Sequence, residues 1–253
     1  MNKILRYFCS VQESSTSTEE AIADAINKAG KEIDKAISQN KHETTYFYSY
    51  PFFIEYFNRI FVKTPSISPK IGYLIQGMFM IYGWMPTILQ LKCEYKKIDS
   101  YISEIFEILQ HLKFCKYETI NEFLFSDLCN ESSLIPKKFR NRFSFLQSFI
   151  NNSIPGTSKL LHFLRPEDFP ILDSNIYNSL YEKNGTTAGT QHTYREYIKD
   201  MHDMRLKFEH TDKIQSAIND MKSALGYENL TFTRAIELSI FLNKPDTKSN
   251  TSS

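Results

Sequence analysis

Residues 153–175 read SIPGTSKLLHFLRPEDFPILDSN. The stretch holds a Pro-Gly pair, a lysine, two further prolines and then an isolated aspartate. Upstream, Phe143, Leu146, Phe149 and Ile150 recur at helical spacing, and Asn151-Asn152 interrupts them. Pro155-Gly156 then reads as a tight turn in which glycine is free to take a positive φ. Thr157 or Ser158 is the expected cap of a helix that starts near Lys159 and runs to Phe163 or Leu164. Pro166 and Pro170 hold an extended connector, and Asp173 stands as the N-cap of the next helix. The expectation is a helix-hairpin-helix-like element near 143–164.

Working outward, nearly every segment carries the helical period, and no Asn-Gly or Asp-Gly hairpin separates alternating runs. The fold class is therefore all-α. Thr18 before Glu19-Glu20 looks like a cap, followed by the apolar stripe Ile22, Ile26, Ala29, Ile33 and Ile37. Pro51 is expected at the start of a helix in the aromatic stretch 45–62. Residues 71–91, IGYLIQGMFMIYGWMPTILQL, carry no charge over a bilayer-spanning length. Three glycines, Gln76 and Pro86 argue instead for a buried central helix. Arg234 with Glu237, and Glu55 with Arg59, have the spacing of helical ion pairs. The expected organisation is an N-terminal segment 1–16, an aromatic-rich helical region 17–130, a hairpin-containing region 131–244 packed with it as one unit, and a disordered tail 245–253.

Composition narrows the function. There are 30 basic against 29 acidic residues, so any nucleic-acid contact must be a local patch. Cys9, Cys93, Cys115 and Cys129 lack CxxC spacing and have no nearby histidine pair, so no metal site is expected. Scattered cysteines suit a reducing cytoplasm. The first residues have too short an apolar run for a signal peptide. Twenty Phe and 15 Tyr imply aromatic packing, with tyrosines at wet edges.

Two short motifs resemble the helix-hairpin-helix DNA glycosylase superfamily, which includes 8-oxoguanine glycosylases. Ile154-Pro155-Gly156-Thr157-Ser158-Lys159 stands for the hairpin, without the family's second glycine. Leu172-Asp173-Ser174-Asn175-Ile176 stands for the aspartate segment. The resemblance implies an enzyme without a cofactor that excises a damaged or modified base from double-stranded DNA. Strand-nicking lyase activity would accompany it, in repair or in defence against modified foreign DNA. It implies Lys159 as the nucleophile at the sugar anomeric carbon and Asp173 as the stabiliser of the oxocarbenium-like charge.

The chemistry sets conditions on those residues. A nucleophilic lysine must be partly deprotonated, through desolvation or a neighbouring cation. Leu160-Leu161 and Arg165 lie close in sequence to supply both, with His162 one turn along as a proton shuttle or a core-edge histidine. Gly156, Thr157 and Ser158 would meet a phosphate at the hairpin. Lys137, Lys138, Arg140 and Arg142 form a basic cluster just before it, either a DNA grip or an ordinary solvated face. Trp84, Tyr82 or Phe169 would stack on an extruded base. Each residue also has a plainer reading, Lys159 as a solvated lysine and Asp173 as a helix cap alone. The non-enzymatic competitors are a helical DNA- or protein-binding module and a partner-docking protein that uses the 18–40 helix.

Overall fold

Among the described residues of the computed structural model, twelve helices and no strands are present. The described residues are 2–10, 17–41, 44–62, 67–83, 89, 98–128, 135–137, 139–181 and 189–243. In chain order the helices are α1 (Lys3–Ser10), α2 (Thr18–Ser38), α3 (Thr44–Val62), α4 (Ile67–Tyr82), α5 (Ile98–Phe114) and α6 (Tyr117–Phe125). Then follow α7 (Arg142–Phe149), α8 (Ile154–Leu164), α9 (Ser174–Tyr181), α10 (Gln191–Phe208), α11 (Asp212–Leu225) and α12 (Phe232–Leu242). Among the described residues no helix is long and apolar enough to cross a membrane.

The helices assemble into two compact units, each made of segments distant in sequence. One comprises 1–44, 173–188 and 200–253; the other comprises 45–172 and 189–199. Each is discontinuous because its core is closed by helices distant in sequence.

In the first unit α2 packs on α11 and α12 along the stripe Ile22, Ile26, Ala29 and Ile33, all buried. That face is occupied within the chain. The cap of α2 is Ser17, one residue earlier than expected. The Ser17 N–H donates to the Glu20 carboxylate while Ser17 Oγ accepts the Glu20 N–H, which completes a capping box that Thr18 would leave out of register. Helix α12 is buried nearly all round, with Thr233, Glu237 and Ser239 inside and Glu237 paired to Arg234 at 3.0 Å. Asn243, which ends α12, accepts the buried Tyr7 hydroxyl at its carbonyl and donates its amide to Ala25. Gly226 ends α11 at φ 62, the left-handed stop its position suggested.

The second unit is built on aromatic contacts. Phe53, Phe57 and Phe163 cluster, Phe61 stacks on Phe106, and Phe143 meets Phe125 and Tyr194. Two expectations are corrected here. Pro51 lies inside α3 rather than at its start. The buried run Tyr50, Phe53, Ile54, Phe57 and Phe61 keeps the helix continuous across the missing N–H. Helix α4 is not buried all round. Leu74, Met78, Ile81 and Tyr82 face inward, while Tyr73 and Phe79 are exposed. Trp84 lies outside the described residues.

Candidate functional site

Asn141 starts α7 with a reciprocal cap to Ser144, at 2.8 and 3.1 Å. The reversal that follows is made by Asn151 and Asn152, at φ 52 and 56. Asparagine tolerates this left-handed region better than most residues. Ser153, not Thr157 or Ser158, is the N-cap of α8, and its Oγ accepts the Gly156 N–H at 3.1 Å. Pro155 and Gly156 therefore belong to the first turn of α8, where proline lacks only an orphan donor.

The three residues expected to meet a phosphate lie buried in the first turns of α8. A Cβ on Gly156 would lie 2.5 Å from Ile150 Cγ2 and 3.1 Å from the Tyr82 hydroxyl, so the glycine is there for close packing. Thr157 and Ser158 are fully buried. The Thr157 hydroxyl donates to the Ser153 carbonyl at 2.8 Å, and that of Ser158 to the Pro155 carbonyl at 3.0 Å. Both hydroxyls are thereby satisfied within the chain.

Lys159 sits in the middle of α8, half-buried, rather than at its mouth. The strap 165–172 leaves α8 and folds back along it with Phe169, Ile171 and Leu172 buried. Its end is fixed: the Leu172 N–H donates to Ser158 Oγ at 3.1 Å. The immediate predecessors of Lys159 and Asp173 are thus held together. Asp173 caps α9 as its position suggested, its Oδ1 accepting the Ile176 N–H at 2.9 Å.

The proposed accessories have other work. His162 is fully buried; its Nδ1 lies 2.7 Å from the Phe169 carbonyl and its Nε2 2.8 Å from the Tyr50 hydroxyl. A carbonyl only accepts, so Nδ1 carries the proton, and in the neutral ring Tyr50 donates to Nε2. The ring is a core element sealed from any proton traffic. Arg165 is half-buried, pairs with the buried Asp168 carboxylate and donates to the Leu112 and Cys115 carbonyls, at 2.8 and 2.7 Å. It caps the C-terminal end of α5.

Lys113 makes the converse contact, donating from α5 to the Leu164 carbonyl at the end of α8 and to Asn58 Oδ1, at 2.7 and 2.6 Å. Burial holds its pKa below the ordinary lysine value, an effect that the nearby Glu167 carboxylate opposes and Arg165 reinforces. The two helix ends are thus capped by each other's cations. Sequence reasoning missed Lys113, whose contacts lie more than 50 residues away. A basic residue in a last turn was the only available signal.

The basic cluster separates. Arg142 donates to the Phe123 carbonyl at 3.1 Å and lies over the Phe123 ring at 4.2 Å, so it anchors α7 to α6. Arg140 is exposed and paired with Asp127 at 2.7 Å. Lys137 is exposed, and Lys138 lies outside the described residues. Tyr82 and Phe169 are buried, which removes both as stacking platforms for a base. Among the described residues no group of His, Cys, Asp and Glu is arranged to hold a metal. An open depression of about 460 Å³ on α5, lined by Glu107, Gln110, His111, Phe114 and Cys115, contains none of the expected site residues. Compared with known proteins, the chain matches no family model, no curated protein and no solved structure.

Proposed function

We propose that this chain is a lysine-dependent DNA glycosylase acting on duplex DNA that carries a damaged or modified base. Lys159 is the nucleophile and Asp173 the stabiliser of positive charge on the sugar. One observation carries the reading: the Leu172–Ser158 hydrogen bond pins the chain just before the carboxylate onto the helix turn just before the amine. That bond joins Ser158 and Leu172, themselves 14 residues apart in sequence.

In the step itself, the neutral Lys159 amine forms a bond to the anomeric carbon as the glycosidic C–N bond breaks and the base departs. One amine proton passes to the departing base and the other to the sugar ring oxygen as the aminal opens to an imine, and Asp173 opposes the cationic charge that develops on the way. Among the described residues just before α7, Lys137 and Arg140 are exposed cations that would meet phosphates, Arg140 from its pair with Asp127.

Incubation with duplexes bearing an abasic site or 8-oxoguanine, followed by borohydride, should give a covalent adduct. Lys159→Gln should abolish the adduct while DNA binding survives. Wild-type protein that never crosslinks to any modified duplex would end the proposal. The second reading is a helical binding module without catalysis. It is favoured by the burial of Gly156, Thr157 and Ser158 and by the commitment of Arg142 to Phe123. DNA binding without an adduct is its signature.

A further inference from the structure

The geometry points to a strand-binding strip along α9 and α1, beginning at Asp173. Residues 173, 177 and 181 recur every four positions and line one face of α9, while Ile176 and Leu180 are buried on another. Tyr177 and Tyr181 stack on each other, with centroids 4.9 Å apart and planes 26° apart, and both are half-buried. Lys3 of α1 places its ammonium 5.7 Å from the Tyr181 ring centre, and Arg6 is exposed one turn further along α1. The sequence of α9, SNIYNSLY, contains no charged residue. The strip therefore reads carboxylate, phenol, phenol, ammonium over about 12 Å of helix.

Stacked phenol rings bordered by cations match a nucleic-acid strand, whose bases stack on aromatic faces while its phosphates take the charge. The occupant argued here is the DNA strand flanking the excised nucleotide, its sugar at Asp173 and its neighbouring bases along Tyr177 and Tyr181. This deepens the glycosylase reading and rests on it for the identity of the ligand. Two features favour DNA over an apolar partner: the cationic end of the strip, and its continuity with the carboxylate that would face the sugar.

The test uses the full chain and a short fluorescein-labelled duplex with a central tetrahydrofuran abasic-site analogue, with binding read by anisotropy. Tyr177→Leu and Tyr181→Leu should each weaken binding at least about fivefold, and Tyr181→Phe should stay within about twofold. Lys3→Gln should lower the slope of log affinity against log salt by about one. Far-UV circular dichroism checks the fold of each variant. Folded leucine variants that bind like wild type, or an unchanged salt slope in Lys3→Gln, would overturn the strip. If a Lys159-dependent adduct forms while these variants bind normally, the strip alone fails. If the variants weaken binding but no adduct ever forms, the strip stands and the chemistry fails. Wild-type protein with no affinity for the duplex would sink both.

Discussion

Replacing Gly156 by alanine separates the two roles that a Pro-Gly hairpin glycine can have. The added methyl would meet Ile150 Cγ2 at 2.5 Å and the Tyr82 hydroxyl at 3.1 Å. The first atom belongs to a β-branched side chain that is 1% exposed, and the second to a tyrosine that is 4% exposed, so neither retreats easily. Overpacking of this kind costs about 1–3 kcal/mol. Alanine's better helix propensity returns at most about 1 kcal/mol, and less in a first turn. The net expectation is about 1–2 kcal/mol of destabilisation. In a chain of this size that lowers the thermal midpoint by roughly 2–8 °C.

Ile150→Leu removes the methyl on Cβ that causes the clash. The double variant should therefore recover more stability than the two single changes predict, a coupling that a thermodynamic cycle measures. DNA affinity, measured on folded Gly156→Ala at low temperature, should stay unchanged. A stable Gly156→Ala variant with lost DNA affinity would refute the packing account and restore a phosphate-binding hairpin.

Further outcomes follow from buried polar contacts. Arg165→Met strands a nearly inaccessible Asp168 carboxylate and two α5 carbonyls, and should cost about 3–5 kcal/mol in urea denaturation. A neutral effect would show that the pair is not buried. Tyr50→Phe leaves His162 Nε2 without its donor and should cost about 1–3 kcal/mol, while nitrogen-15 spectra of wild-type protein show the Nδ1–H tautomer. Spectra of the Nε2–H form would contradict the assignment. Burial raises the Tyr7 phenol from 10.0 to about 12. The unfolded phenol ionises first, so stability present below pH 10 falls by roughly 3 kcal/mol as pH rises through 12. Tyr7→Phe loses about 1 kcal/mol at neutral pH with its hydrogen bond to Asn243, yet should become the more stable protein above about pH 11. Denaturant midpoints that keep a constant gap across that range would rule the mechanism out.

What the sequence determined by itself was set by short-range physics. Apolar residues at helical spacing, Asp173 before α9, Gly226 after α11 and the Arg234–Glu237 pair all act within one or two turns. The all-α class follows from the same local periodicity. Tertiary structure decided where α8 begins, because Ser153 and the packing of Ile150 and Tyr82 against Gly156 admit the Pro-Gly pair into the helix. It also decided which charged residues are available for chemistry. Arg165 and Lys113 cap helix ends some 50 positions away, and Arg142 is held on Phe123. Partners at such separations leave no periodic trace in the chain. The desolvation that makes those contacts binding exists only once the core has closed around them.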